Sequence, residues 1–475
     1  MHDARRSRER EEAGRESPWS LLKKAVRGTA EDYTAGSLNR AVFLLSVPMI
    51  LEMVMESAFA LVDVFFVGRL GPEAVAAVGL TESFLTVVYA VAMGLCMSTT
   101  ALVARRVGEK QPEAASRAAV QAMAVGLATS VPFAVVGVLW ARELLAGMGA
   151  SAGVVEVGWG YTSWMLAGNA SIVLLFLTNA IFRGAGDAAV AMRSLWIANA
   201  VNIVLDPCLI FGLGPFPALG VTGAAIATNV GRTVGVAYQL RALSSARRRV
   251  RLRRRHLRLD RRLMLHLVRL SVGGVGQFLI GTASWLGLVR ILTPFGASAL
   301  AGYTIALRIV VVALLPSCGM SNAVATLVGQ NLGAGKPDRA ERSVWIVGLY
   351  NMVFLLGVMA AFLWGAEPLI AVFSADPAVQ AVGALCLRVV SYGYAFYAWG
   401  LVLVQAFNGA GDTLTPTWIN LGCYWLFQVP LALVLARGLG QGPLGVFVAI
   451  TCAESLLAVV GLVVFRRGGW KHRAV

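Results

Sequence analysis

Phe182-Arg183-Gly184-Ala185-Gly186-Asp187 reappears as Phe407-Asn408-Gly409-Ala410-Gly411-Asp412, 225 residues further along the chain. The same offset of 225 joins Leu45-Ser46-Val47 to Leu270-Ser271-Val272, Gly71 to Gly296, and Pro112 to Pro337. Four matches at one spacing mark an internal duplication, so the chain is two copies of one unit.

Each unit is built from long apolar runs. Stretches of about 20 apolar residues recur from position 42 to 466, each long enough to cross about 30 Å of hydrocarbon as a helix. They predict twelve helices at 42–67, 77–103, 118–140, 156–181, 194–213, 220–240, 267–291, 299–326, 343–365, 379–406, 417–436 and 443–465. The composition agrees: the 475 residues are 57% hydrophobic and 14% charged, with mean hydropathy +0.71, against about a quarter charged in soluble domains. The expected fold is therefore all-α, a polytopic membrane protein of two six-helix lobes. Because six is even, both copies insert in the same sense, which gives parallel repeats about an axis along the membrane normal and a cleft between them. The predicted parts are an N-terminal tail (1–41), an N-lobe (42–240), a basic linker (241–266), a C-lobe (267–466) and a C-terminal tail (467–475).

The formal charge of +16 is unevenly placed. With the N-terminus inside, cytoplasmic segments hold 33 of the 41 Lys and Arg, outer loops hold Arg69, Arg142 and Arg437, and spans hold Arg232, Arg269, Arg290, Arg308 and Arg388. This bias predicts a multi-pass protein of the plasma membrane with both termini cytoplasmic. Residues 1–41 have no apolar core, so the first span acts as its own insertion signal. Arg241 to Arg262 carries eleven Arg against one acid, Asp260. It reads either as a short basic surface helix against anionic headgroups or as an orientation-setting linker. No aromatic or nucleic-acid motif accompanies it, so no nucleic acid is expected as partner. Membrane lipids and small organic molecules are.

Six single Cys (Cys96, Cys208, Cys318, Cys386, Cys423, Cys452) read as small hydrophobes in helix packing, and His2, His256, His266 and His472 fall outside the spans. No histidine metal site or intramembrane histidine relay is expected. Gly335-Lys336 runs into Pro337 and fails as a phosphate loop, so no nucleotide cofactor is expected either, and no enzyme.

Intramembrane acids carry the functional signal. Glu52, Glu56, Asp63, Glu82, Glu156, Asp206 and Glu454 lie within or at the ends of spans, where a deep charge costs about 2.5–3.5 kcal/mol and so faces protein or a water-filled cavity. Asp63 and Asp206 fall roughly 7–11 Å beneath the outer surface at 1.5 Å per residue. Thr228 has a matching depth, and Asn202 stacks one turn inward of Asp206. Two carboxylates at one level with an amide and a hydroxyl can hold a proton or a sodium ion; alternatively, each carboxylate is satisfied separately. At offset 225, Asp63 becomes Leu288 and Asp206 becomes Leu431, so ion coupling is expected in the N-lobe alone. Pro48 removes a backbone hydrogen bond near the start of the first span and can bend it. Glu52 and Glu56 share a stripe with Asp63 and are placed in the substrate cleft, or else pair with a buried Arg such as Arg232 or Arg308. Tyr392, Tyr394, Phe396, Tyr397 and Trp399 of the tenth span can stack on a flat organic cation or pack as ordinary core.

Together, the duplicated twelve spans, the Pro48 to Asp63 spacing, Asn202-x-x-x-Asp206-Pro207, Gly223-Ala224-Ala225-Ile226-Ala227-Thr228 and the repeated Gly-Ala-Gly-Asp turns resemble the multidrug and toxic compound extrusion (MATE) transporters. The resemblance covers residues 40–466 and looks closest to the DinF-like branch. It implies that Pro48 is the kink, that Asp63 and Asp206 are the coupling carboxylates with Asn202 and Thr228 as polar neighbours, and that Asn179 is a further candidate for that polar group. The NorM-like branch is associated with acids in the seventh and tenth spans, where this chain has Gln277 and Arg388. The implied activity is cation-coupled antiport, with proton or sodium, that exports cationic or amphipathic small molecules. The alternative is a flippase for lipid-linked oligosaccharide or lipid precursors of the same superfamily, using Arg232, Arg290 and Arg308 for phosphate. Two lobes in one chain make a monomer sufficient.

Overall fold

The computed structural model describes residues 17–28, 31–245 and 248–473. The first sixteen residues of the expected tail, with His2, lie outside the described residues. An amphipathic helix, α1 (Pro18–Arg27), precedes the membrane helices. The first lobe contains α2 (Leu38–Gly68), α3 (Pro72–Gly108), α4 (Pro112–Gly147), α5 (Ala152–Ala167), α6 (Asn169–Gly184), α7 (Ala188–Phe211) and α8 (Val221–Ser244). The second contains α9 (Arg261–Leu292), α10 (Ala297–Gly333), α11 (Pro337–Ala371), α12 (Pro377–Ser391), α13 (Tyr394–Gly409), α14 (Leu414–Gly438) and α15 (Pro443–Arg466).

Eight of these helices are single apolar spans, and α5 with α6 and α12 with α13 form two more, bent by 42° and 61°. With α2 and α8, 31 and 24 residues long, the long helices and bent pairs among the described residues number twelve. Both bends differ from the unbroken spans expected at 156–181 and 379–406. They fall at Gly168 and Gly393, which are again 225 residues apart. At the first, Asn169 Nδ2 donates to the carbonyls of Ser130 (3.0 Å) and Leu166 (2.6 Å), and Asn229 Nδ2 donates to that of Trp164 (2.8 Å). At the second, Thr451 Oγ1 donates to the carbonyl of Val389 (2.9 Å). Side chains thus brace the backbone around each break and tie the first to the neighbouring helix α4, where hydrocarbon could supply no partner.

The repeated turn has a physical reason too. Gly186 and Gly411 occupy positive φ (82° and 85°), where a side chain would be strained. Gly184 and Gly409 lie against the backbones of α3 and α10, at Thr100 and Ala325 respectively. One glycine of each motif turns the chain, and the other lets two helices meet.

Close helix approach also joins the lobes. A Cβ on Gly94 of α3 would stand 2.6 Å from the Ser271 carbonyl oxygen of α9, and one on Gly319 of α10 would stand 2.8 Å from the backbone of Met49 and Ile50 in α2. These are the same contact in the two copies, since Gly94 and Gly319 are 225 apart. Further along, Gly108 meets the backbone of Gln330, and its counterpart Gly333 meets that of Arg105. Ser98 and Ser271 share a hydrogen bond of 2.8 Å. Thr326 Oγ1 donates to the Arg183 carbonyl (3.0 Å), and Gln330 Nε2 to that of Gly184 (2.9 Å). All these contacts lie toward the end of the bundle that bears both Gly-Ala-Gly-Asp turns, α1 and Trp470.

The tails close over that basic end. Tyr33 is buried beside Gly186 of the first lobe. From the second lobe, Lys336 Nζ donates to the Thr34 carbonyl (2.7 Å), and Arg339 donates to those of Ala35 and Gly36 (2.9 Å each). At the other terminus Trp470 stacks on Phe465 at 4.7 Å, Arg473 pairs with Asp412 at 3.3 Å, and Arg105 donates to the Arg473 carbonyl at 2.7 Å.

The basic linker is not a surface helix. From Arg248 to Asp260 it is irregular apart from one 3-10 turn, Arg254–Leu257, and it is fastened to the first lobe. Arg248 pairs with Asp187, Gln121 Nε2 donates to the Arg258 carbonyl (2.9 Å), and the Arg251 amide donates to Ser116 Oγ (3.0 Å). His256, 3% exposed, meets Glu113 at 2.5 Å, and Arg255 pairs with the same carboxylate. The hydrogen bond from His256 first, then the charge of Arg255, holds the Glu113 carboxyl below the usual carboxylate range.

Two tests address this framework. Gly108→Ala and Gly333→Ala each push a methyl into backbone, so each should destabilise by about 1–3 kcal/mol, whereas Gly281→Ala, with open space around it, should gain up to about 1 kcal/mol of helix propensity. Thermal unfolding in detergent reads the difference. For the linker, Glu113→Ala should speed tryptic cleavage between Arg251 and Arg262. In the unaltered protein the linker should resist trypsin at neutral pH and loosen only as pH falls through the depressed Glu113 range, because a carboxyl lowered in the folded state stabilises above its unfolded pKa.

Candidate functional site

Small residues set the site's geometry. Gly231 of α8 lies against the Ala198 carbonyl, where an added Cβ would come within 2.5 Å, and Gly223 lies against the backbone at Leu209. The resulting close approach of α7 and α8 seats Thr228 on Asn202, whose Nδ2 donates to Thr228 Oγ1 at 3.1 Å and to Asp206 Oδ1 at 3.4 Å. All three side chains are buried, with Asp206 at 0% exposure. Asp206 Oδ2 and Asn202 Oδ1 have no hydrogen-bond partner among the described residues. Buried polar atoms are usually paired, so an unpaired carboxylate oxygen beside an unpaired amide oxygen favours an added proton or cation.

Asp63 faces this group from α2. No direct hydrogen bond joins it to Asp206 among the described residues, but the two carboxylates are near enough to feel each other's charge. Glu82 and Arg232 act on Asp63 in the same way. Arg232 Nη2 donates to Tyr89 at 3.4 Å, its charge is felt at Tyr161, and Glu56 also acts on it. The interior of the first lobe therefore places acids around one arginine. Tyr89 and Tyr161 were not singled out by sequence; their signal was only an aromatic at helical spacing, which is common.

The other expected site residues go elsewhere. Asn179 does not join Asp63 and Asp206: its Nδ2 donates to Glu52 Oε1 at 3.1 Å, and it accepts from Gln239. Glu52, 2% exposed, does not line an open cleft and pairs with neither Arg232 nor Arg308; its counter-ion is Arg183 at 3.7 Å. Glu56 is half-buried, and its Oε2 has no hydrogen-bond partner among the described residues. Pro48 lies inside α2, which is one uninterrupted helix through it. The two tyrosines separate because the span breaks at Gly393. Tyr394 is fully buried between Phe362 and Tyr397, with ring centroids 5.9 and 6.2 Å away, while Tyr392 is 62% exposed. Tyr394 is thus a core residue of the second lobe and meets no acid of the first.

The second lobe provides the comparison within the molecule. Leu288 and Leu431, the positions matching Asp63 and Asp206, pack in its apolar core. Glu454 of α15 accepts from Tyr424 at 3.0 Å.

Known proteins agree with this architecture. A family model described as MatE matches residues 48–208 and 277–434, once in each lobe. A probable multidrug resistance protein NorM from Thermotoga maritima is 26% identical over 441 residues, covering 92% of this chain and 94% of that one. A protein named FAD transporter from Shewanella oneidensis is 27% identical over 399 residues, covering 83% and 87%. A solved structure described as the outward-facing conformation of a multidrug resistance MATE family transporter of the MOP superfamily superimposes with a TM-score of 0.86 at 26% identity, over 93% of this chain and 98% of its own. The chain belongs to the MatE family of membrane transporters, with one family unit in each of its duplicated lobes.

Proposed function

We propose that this transporter is a cation-coupled antiporter that exports cationic or amphipathic organic molecules and places its coupling site in the N-lobe, as in the DinF-like branch. One observation carries this reading: Asp206 is buried with Asn202 and Thr228, within charge range of Asp63, while the duplicated positions are leucine. Gln277 and Arg388 stand in the seventh and tenth spans, where the resemblance to the NorM-like branch would imply coupling acids.

With the basic end in the cytoplasm, the close glycine contacts close the inner side, as an outward-facing state requires. A proton or sodium ion enters at Asp63 and Asp206 and neutralises their mutual repulsion. The first helix then changes shape about Pro48, the N-lobe cavity shrinks, and substrate leaves outward. Return to the inward-facing state releases the cation. A proton moving through about 180 mV yields roughly 4 kcal/mol, enough for nearly a thousandfold gradient of a neutral solute by the usual conversion of about 1.4 kcal/mol per tenfold. The flippase alternative needs a cleft basic enough for phosphate, whereas Arg232 stands among Glu56, Asp63 and Tyr89.

Proteoliposomes test the proposal. Ethidium efflux driven by an imposed proton or sodium gradient should occur with the unaltered protein and be lost in Asp63→Asn and Asp206→Asn. Unchanged coupled flux in both variants removes the N-lobe site. Gradient-driven movement of FAD or of a phosphate-bearing lipid precursor, with none of ethidium, replaces the substrate class.

A further inference from the structure

Near the basic end of the first lobe lies a second polar cluster, buried more completely than the first. Glu52 of α2 sits one turn beyond Pro48, and its Oε1 accepts from Asn179 Nδ2 (3.1 Å) with Arg183 Nη1 at 3.7 Å. Gln239 donates to Asn179 and accepts from Thr178. Glu52, Asn179, Gln239 and Thr178 are all at most 2% exposed, and Glu52 Oε2 has no hydrogen-bond partner among the described residues. The charged and titratable groups acting on Glu52 are Arg183 and Glu56, and the Cys96 thiol of α3 lies within range of the Glu52–Arg183 pair.

The duplication shows what this position looks like without charge. At offset 225, Glu52 becomes Gln277 and Arg183 becomes Asn408. In the second lobe these two amides pair with each other, Gln277 Nε2 to Asn408 Oδ1 at 3.0 Å and Asn408 Nδ2 to Gln277 Oε1 at 3.2 Å. A neutral pair therefore meets the structural need in the same helical frame. Burying an ion pair instead incurs desolvation that its attraction often only balances, so its presence in one lobe calls for a reason beyond packing.

We propose that Glu52 is a second proton-binding site, the inner station through which a proton taken up at Asp63 and Asp206 leaves toward the cytoplasm. The inference rests on the antiport reading above. Glu52, Glu56 and Asp63 form one stripe of α2, with steps of four and seven residues, or about 6 and 10 Å at 1.5 Å per residue. A proton released from the outer carboxylates is accepted by the Glu52 carboxylate at Oε2, giving a neutral carboxylic acid, and passes from there to cytoplasmic water. A sodium ion does not suit this station, since the amide of Asn179 and the guanidinium of Arg183 already face the carboxylate. The station is also tied to the lobe seam. The Arg183 carbonyl accepts from Thr326 of the second lobe, and that of Gly184 accepts from Gln330. Neutralising Glu52 frees the Arg183 side chain and loosens the turn that holds the lobes together at this end.

The test compares two fluxes of ethidium in proteoliposomes, transport driven by a pH gradient and exchange without one. In Glu52→Gln the ratio of driven to gradient-free flux should fall about tenfold, and the pH dependence of exchange should flatten. The double variant Glu52→Gln/Arg183→Asn, which restores the amide pair of the other lobe, should fold and show the same loss. A merely structural role lowers both fluxes together and leaves their ratio and pH profile unchanged; that result overturns the proposal. If the unaltered protein shows no pH-driven flux, the antiport reading itself fails. If Asp63→Asn abolishes driven flux while both Glu52 variants keep the normal ratio, only the inner station fails.

Discussion

Everything in this transporter is hung on backbone-to-backbone contact between lobes at paired glycines. Gly94 and Gly319 bring α3 onto α9 and α10 onto α2, and Gly108 and Gly333 bring α3 and α10 together at the basic end. In a bilayer no hydrophobic effect separates apolar helices from lipid, so such contacts hold by close packing and by the hydrogen bonds they permit. Here they permit those of Ser98 with Ser271, Thr326 with Arg183 and Gln330 with Gly184. Because each glycine contact occurs twice, the seam is two-fold.

A symmetric frame makes the asymmetry of charge informative. The same backbone positions carry Asp63 and Leu288, Asp206 and Leu431, Glu52 and Gln277, Arg183 and Asn408. In each case the second lobe shows that the fold tolerates a neutral residue. The acids of the first lobe therefore cannot be explained as requirements of the helix arrangement. Each must be balanced by local donors: Asn202 at Asp206, Asn179 and Arg183 at Glu52, and the field of Arg232 at Asp63.

Much of this was legible in the sequence because duplication and helical spacing are properties of one dimension. Offset 225 exposed the two lobes, and the four-residue step from Asn202 to Asp206 placed both on one face of a helix. Thr228 followed from depth alone. What depends on how helices rotate against each other was not legible. Asn179 and Glu52 meet because α6 presents one side chain to α2, and nothing in their spacing distinguishes that from an approach to Asp206. Tyr394 enters the core because the span bends at Gly393, a change of direction that an unbroken apolar run conceals. Sequence leaves the linker open between a surface helix and a plain connection because its charge is visible while its partners, Glu113, Ser116, Gln121 and Asp187, lie elsewhere in the chain. The recurrence of Gly94 as Gly319 and of Gly168 as Gly393 was present at the same offset, and would have disclosed both the seam and the breaks.

One helix connects all these elements. Along α2, Met49 and Ile50 press on Gly319 across the seam, Glu52 holds Arg183, Glu56 lies in the field of Arg232, and Asp63 feels Asp206. Pro48 sits at the seam end of this series, where α2 lacks a backbone donor and so resists bending least. In the antiport proposed above, a charge change at Asp63 would act near one end of α2, while the missing donor at Pro48 lies near the other, beside the contact that joins the lobes. The order of residues along this one helix thus puts the acids and the seam contact on a single element that runs unbroken between them.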